Sequence, residues 1–310
     1  MFNNRESWTL SFYLIIKFLR LGGKIIPSDT KSFRKITDIE IPSWSPILTS
    51  GVNCIKSNSN IIDGEWIFPN SINNYKTHSK YILYIHGGAF CLNKTGIYRD
   101  FLFKVAKETN TVIFSINYRR SPEYKYPIPL YDCIDGYMYL LKKVKISDKI
   151  ILMGDSAGGN LVINLLAHLI KNNIHNPSKC VLISPWVDLT DYGKNSSWEI
   201  NKKYDFVIPE LAKHFSFEYI DKTKINLYDV SPLYLDNKIL SKLPSILIEY
   251  GECEVLHDQI KQFCHKLKKL NINIKYHCRK DMVHVFPLFH FTGISHSKDF
   301  FYNLKKYIYN

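Results

Sequence analysis

A serine set among glycines, Gly154-Asp155-Ser156-Ala157-Gly158-Gly159-Asn160, stands directly after the apolar run Lys149–Met153 and directly before a helical pattern. That order reads as strand, tight turn, helix. On so sharp a turn the Ser156 hydroxyl projects above the sheet, and only small neighbours fit at 154 and 158. The following helix aims its N-terminal dipole and free N–H groups at the same point. The chemistry open to such a serine is attack on an acyl carbon. Gly-x-Ser-x-Gly alone is a weak pattern, and its context gives it weight; no Gly-x-Gly-x-x-Gly or Walker pattern supports a phosphate-binding turn instead. Asp155, beside the nucleophile on the turn, is read as a structural hydrogen-bonding residue.

Acyl attack creates an alkoxide, which preorganised N–H donors in a dry site stabilise. His86-Gly87-Gly88-Ala89-Phe90 follows the apolar run Tyr81–Ile85 and offers paired glycines whose amides can turn toward one point. The amides of Gly87, Gly88 and Ala157 are the expected oxyanion donors. His86 is expected to orient this loop rather than to act as the base.

These residues need a rigid support, and the chain alternates accordingly. Runs at Tyr81–Ile85, Val112–Ile116, Lys149–Met153, Cys180–Ile183 and Ser245–Tyr250 have the length and texture of strands buried on both faces. Between them, Ile97–Thr109, Ile128–Val144 and Gly158–Lys171 carry apolar residues at helical spacing. The expected fold is a doubly wound, mostly parallel α/β sheet. Two stretches break the alternation, residues 1–45 and 187–240, and both are expected to form a helical lid over the strand ends. The catalytic core would then comprise residues 46–186 and 241–310. The Asn/Ser-rich stretches near Asn53–Asn60 and Asn70–Asn74 read as turns.

The 310 residues, 45% hydrophobic and 22% charged, exclude wholesale disorder. The net charge of +13 is dispersed in ones and twos, so no nucleic-acid partner is expected. Seven cysteines form no CxxC pair, which favours free thiols in a reducing, cytoplasmic setting over a zinc module or a disulfide framework. Trp8–Ile26 is interrupted by Lys17 and Arg20 and reads as an amphipathic helix; attachment to a membrane surface through that helix is the alternative.

Four motifs in order, HGGAF, Asn117-Tyr118-Arg119-Arg120-Ser121-Pro122-Glu123, GDSAGGN and Ser184-Pro185-Trp186-Val187-Asp188-Leu189, resemble the hormone-sensitive-lipase-like (GDXG) branch of the α/β-hydrolases. The resemblance covers roughly residues 80 to 290. It implies an eight-stranded sheet, a lid from the N-terminus plus an insertion after the sixth strand, and hydrolysis of small carboxylic esters without a cofactor. The family commonly has a third glycine where Ala89 stands; the first two glycines are expected to supply the donors.

The resemblance also places the acid and then the base after Ser156. His284, in Asp281-Met282-Val283-His284-Val285-Phe286 after the predicted strand Asn273–Cys278, is similar to the family's histidine loop. His277, His290 and His296 read as packing or surface residues, and their spacing with His284 is not that of metal ligands. The family's acid pattern falls on Glu254, with Leu256 in register and Asp258 as a supporting residue; Asp258 and Glu252 remain the alternative acids. The triad Ser156, His284 and Glu254 would make the protein a serine esterase for short-to-medium acyl chains. A non-catalytic small-ligand receptor on the same fold, or a hydrolase of amide or lactone bonds, is the competing reading.

Overall fold

In the computed structural model, which describes residues 5–25, 29–38, 51–72, 80–144, 150–193 and 196–310, eight strands form one sheet. They are β1 (Val52–Lys56), β2 (Gly64–Pro69), β3 (Tyr81–Ile85), β4 (Val112–Ile116), β5 (Ile150–Asp155), β6 (Lys179–Ile183), β7 (Ser245–Gly251) and β8 (Ile274–Arg279). Their spatial order is β1-β2-β4-β3-β5-β6-β7-β8. β2 runs antiparallel to both its neighbours, and the rest of the sheet is parallel. Tyr81–Ile85, Val112–Ile116 and Ile150–Asp155 are buried along their whole length, as strands covered on both faces by helices must be.

The helices are α1 (Leu10–Ile25), α2 (Thr30–Thr37), α3 (Arg99–Thr109), α4 (Ile128–Val144), α5 (Ser156–Lys171), α6 (Ser197–Asn201), α7 (Pro209–Tyr219), α8 (Asn237–Leu240), α9 (His257–Lys269) and α10 (Ser295–Tyr309). On one face of the sheet α4 and α5 bury Tyr137, Leu140, Leu161 and Leu165. On the other, α3 and α10 bury Phe101, Leu102, Phe300 and Leu304.

The sequence reading of β3, β4 and α4 coincides with the structure in both bounds. β5 runs through Gly154 and Asp155, because both pair with β6 at Leu182 and Ile183, and α5 starts at Ser156 rather than at Gly158. The stretch Asn53–Asn60 is not all turn: its first residues belong to β1, a half-exposed edge strand without the apolar run that marks the inner strands. The turn expected at Asn70–Asn74 ends outside the described residues, as do the start of the Lys149–Met153 run and the boundary near residue 45.

Candidate active site

Ser156 is the first residue of α5, at the carboxyl end of β5 in the middle of the sheet. Its φ of 51° lies in the left-handed region, which is costly for a residue with a Cβ and is held only by the packing around it. That packing leaves no room for a side chain at Gly154 or Gly158. A Cβ at Gly158 would stand 2.0 Å from the Ile85 carbonyl oxygen. The turn therefore presses against the end of β3, where the His86 loop begins.

Asp155 joins the two. Its Oδ1 accepts the Tyr84 hydroxyl at 2.6 Å and the Gly87 N–H at 2.8 Å. Burial raises the carboxyl to about 6, against the pull of these donors. A Cβ at Gly87 would meet the Asp155 carboxylate at 2.3 Å, so this glycine is needed for close approach. The Gly87 N–H is thus turned toward Asp155, which corrects its assignment as an oxyanion donor. Among the described residues, no acceptor faces the N–H groups of Gly88 and Ala89. Together with Ala157, at the helix N-terminus, they are the amides left for an oxyanion.

His86 is buried and stacked on the Tyr118 ring, with centroids 4.3 Å apart, and its Nδ1 bonds the Gly87 carbonyl at 2.7 Å. Burial lowers its pKa to about 4, so it is neutral and shapes the loop from behind. The Asn117–Glu123 motif holds the same loop from outside. Arg120 bonds Asp38 and the Asn93 carbonyl, while Arg34 of α2 bonds Glu123, the Cys91 carbonyl and the Ser121 carbonyl. A cavity of about 580 Å³ lies among these groups, lined by Arg34, Glu65, Arg99, Arg120 and Glu123; Ser156, Glu254 and His284 are not in its wall.

His284 reaches Ser156 from the loop after β8. Its Nε2 lies 2.9 Å from the Ser156 Oγ. Burial lowers its pKa to about 3, which keeps the imidazole neutral and able to accept a proton. Glu254, after β7, is fully buried, and desolvation pushes its carboxyl up against hydrogen bonds that pull it down. Its Oε2 accepts the Ser184 hydroxyl at 2.5 Å and the Gly251 N–H at 3.1 Å. The distance from this oxygen to His284 Nδ1 is 3.9 Å, and among the described residues both Nδ1 and the Glu254 Oε1 lack a hydrogen-bond partner.

Two residues with no role assigned from sequence hold this half together. Asp205 is buried at 1% exposure between the two loops, and its carboxylate accepts Val255 N–H at 2.8 Å, Phe206 N–H at 2.8 Å and His284 N–H at 3.3 Å. Burial raises it to about 7. Ser184, within the SPWVDL motif, donates to Glu254 and accepts the Val285 N–H at 3.0 Å. Asp258 bonds the Ser197 N–H at 2.7 Å and so ties α9 to α6, away from His284. Glu252 accepts the Asp281 N–H, and Asp281 pairs with Arg5. His277, His290 and His296 sit beside Glu249, Asp100 and Asp299 and do not meet Ser156.

A family model described as alpha/beta hydrolase fold matches residues 82–288. The chain belongs to the α/β-hydrolase family. An esterase from Acinetobacter venetianus is 30% identical over 210 residues, 67% of this chain and 68% of its own length. An acetyl-hydrolase from Streptomyces hygroscopicus is 27% identical over 228 residues, 73% of either chain. The crystal structure of an esterase from the bacterial hormone-sensitive lipase family superposes with a TM-score of 0.83 at 24% identity, covering 97% of this chain and 98% of that one. Among the described residues no helix is long and apolar enough to cross a membrane.

Proposed function

We propose that this α/β-hydrolase is a carboxylic-ester hydrolase that works through an acyl-enzyme on Ser156. The observation that carries the reading is the 2.9 Å contact between Ser156 Oγ and His284 Nε2 at a turn whose neighbouring amides are open. Ser156 Oγ attacks the ester carbon while its proton passes to His284 Nε2. The carbonyl oxygen becomes an alkoxide held by the N–H groups of Gly88, Ala89 and Ala157. Collapse expels the alcohol, which takes the proton from His284, and a water activated by the same Nε2 then releases the acid.

For Nε2 to accept the serine proton, Nδ1 must carry the imidazole hydrogen. That hydrogen faces Glu254 across 3.9 Å. Once His284 is positively charged, Coulomb attraction in this buried setting favours closing the gap to a charge-assisted hydrogen bond. Glu254 is the orienting acid of this scheme. Asp258 serves it indirectly, through α6, whose Asn201 side chain bonds the Glu252 and Glu254 carbonyls.

Residues 1–45 and 187–240 act as the lid. α2 holds the oxyanion loop through Arg34, and Trp8 before α1 bonds the Asp281 carbonyl of the histidine loop at 2.7 Å. Phe206 packs against His284 with ring centroids 6.0 Å apart and supplies an apolar wall beside the base. Short-to-medium acyl esters fit this reading, and two relatives that carry acetyl-hydrolase names favour the short end.

Initial rates on p-nitrophenyl esters from acetate to palmitate, for wild type and Ser156→Ala, test the proposal. The wild type is expected to show a chain-length optimum, and Ser156→Ala to lose about 10⁶ in kcat, the scale on which serine triads fail. Equal activity in the variant contradicts it.

A further inference from the structure

Helix α1 carries apolar residues on two faces, and only one of them is used. Phe12 and Ile16 are fully buried against Met282, Val283 and Phe286, the immediate surroundings of His284. Opposite them, Leu10, Leu14, Phe18 and Leu21 stand at helical spacing along one arc with exposures of 65%, 54%, 74% and 52%. A soluble helix normally turns polar groups outward there, and a contiguous apolar stripe marks a contact site. The helix is not loosely attached. Thr9 and Ser11 donate to the Thr292 carbonyl, Trp8 to the Asp281 carbonyl, and Arg5 pairs with Asp281.

The charge beside the stripe says what covers it. α1 has no acidic residue, Lys17 is exposed on the border of the stripe, and Arg20 reaches across to the Lys202 carbonyl. That contact sets the exposed Lys202 and Lys203 next to the helix. The whole chain carries a net charge of +13. An apolar stripe collared by cations on a helix of 16 residues, interrupted by Lys17 and Arg20, suits a helix lying in the headgroup layer rather than one crossing the bilayer.

We infer that α1 docks the protein on an anionic lipid surface, with Leu10, Leu14, Phe18 and Leu21 immersed and Lys17, Arg20, Lys202 and Lys203 at the phosphate level. Its opposite face packs on the histidine loop, so the docked helix brings the His284 side of the molecule to the interface. The inference concerns binding alone and stands apart from the hydrolase reading.

The test is co-sedimentation of the full chain with phosphatidylcholine vesicles, with and without phosphatidylserine. Wild type is expected to pellet with the anionic vesicles and far less with the neutral ones. Leu14→Glu/Phe18→Glu is expected to weaken binding tenfold or more, and Lys17→Glu/Lys203→Glu by about fivefold per cation, with binding falling as salt rises. Both variants change exposed residues only, and an unchanged circular dichroism melt reports that they fold. Wild type remaining in the supernatant with anionic vesicles overturns the inference, as does equal binding by the Leu14→Glu/Phe18→Glu variant. Sedimentation velocity supplies a further check: a wild-type dimer that this variant converts to monomer would make the stripe a self-association face and overturn the lipid assignment.

Discussion

One carboxylate joins Ser156 to the oxyanion loop: Asp155 precedes the nucleophile and holds Gly87 N–H and Tyr84 hydroxyl on a single oxygen. No such bond joins Glu254 to His284, which face each other across 3.9 Å with a buried Nδ1 and a buried Oε1 left over. The serine half is built from β3, β5 and the turns that directly follow them. The histidine half is assembled from the loops after β6, β7 and β8 and from Asp205 in the segment between β6 and β7. Each half stores a cost: the serine half in the left-handed Ser156 backbone, the histidine half in the unpaired Nδ1 and Oε1 across the gap, since a buried polar group without a partner is costly. One half is preset by the sheet; in the proposed mechanism the other closes the gap between Glu254 and His284 when charge appears on the imidazole.

Substitutions in the two halves are expected to behave differently. Among the residues that support Ser156 and His284, Glu254→Gln has the largest expected effect: it removes the charge that stabilises the imidazolium in the proposed mechanism, and kcat should fall by about 10⁴, as when the acid of a serine protease triad is replaced by its amide. Steady-state rates on p-nitrophenyl butyrate check this, and a fall under tenfold would move the orienting role elsewhere, with Asp258 and Glu252 the next acids to test. Asp155→Ala strikes the preset half. It frees the Gly87 N–H and lets the oxyanion loop drift, for an expected loss of about 10² to 10³ in kcat with little change in KM. An unchanged kcat would mean that Gly88 and Ala89 do not depend on that anchor.

Ser184→Ala is milder, because Glu254 keeps the Gly251 N–H while Val285 loses its acceptor. A loss of about tenfold in kcat/KM is expected, on the scale of one hydrogen bond of about 1.5 kcal/mol. The smallest effect is one of shape. His284 is held near 3 by burial, below the ordinary imidazole value of 6.5, so acid does not protonate it until well under neutrality. The acidic limb of kcat/KM, which reports the free enzyme, should lie below pH 6.5. A limb at or above pH 6.5 would mean that Glu254 already stabilises the charged imidazole before substrate binds.

The same contrast explains what was legible in the sequence. Ser156 and His284 were marked by short motifs next to strands, and 2.9 Å separates them. β3 and β4 were legible because strands buried on both faces read as unbroken apolar runs, whereas β1 hid behind Asn53 and Lys56 at an exposed edge. The direction of the Gly87 amide is not legible in the sequence, for a different reason. A glycine pair reveals that two amides are free to turn but not which way each one points, and Asp155 decides it. Asp205 left no signature at all: its carboxylate binds backbone N–H groups, so no residue type elsewhere in the chain answers to it. Ser184 lay inside a recognised motif, and only the folded chain sets it between Glu254 and Val285.

In the proposed mechanism Ser156, activated by His284, forms the covalent intermediate. The most direct measurement is peptide mapping by mass spectrometry after treatment with a fluorophosphonate, on wild type and on His284→Ala. A single adduct on Ser156 is expected in the wild type, with labelling slowed by orders of magnitude in His284→Ala. A wild-type protein that hydrolyses esters while Ser156 stays unlabelled, or that carries the adduct on another residue, would contradict it.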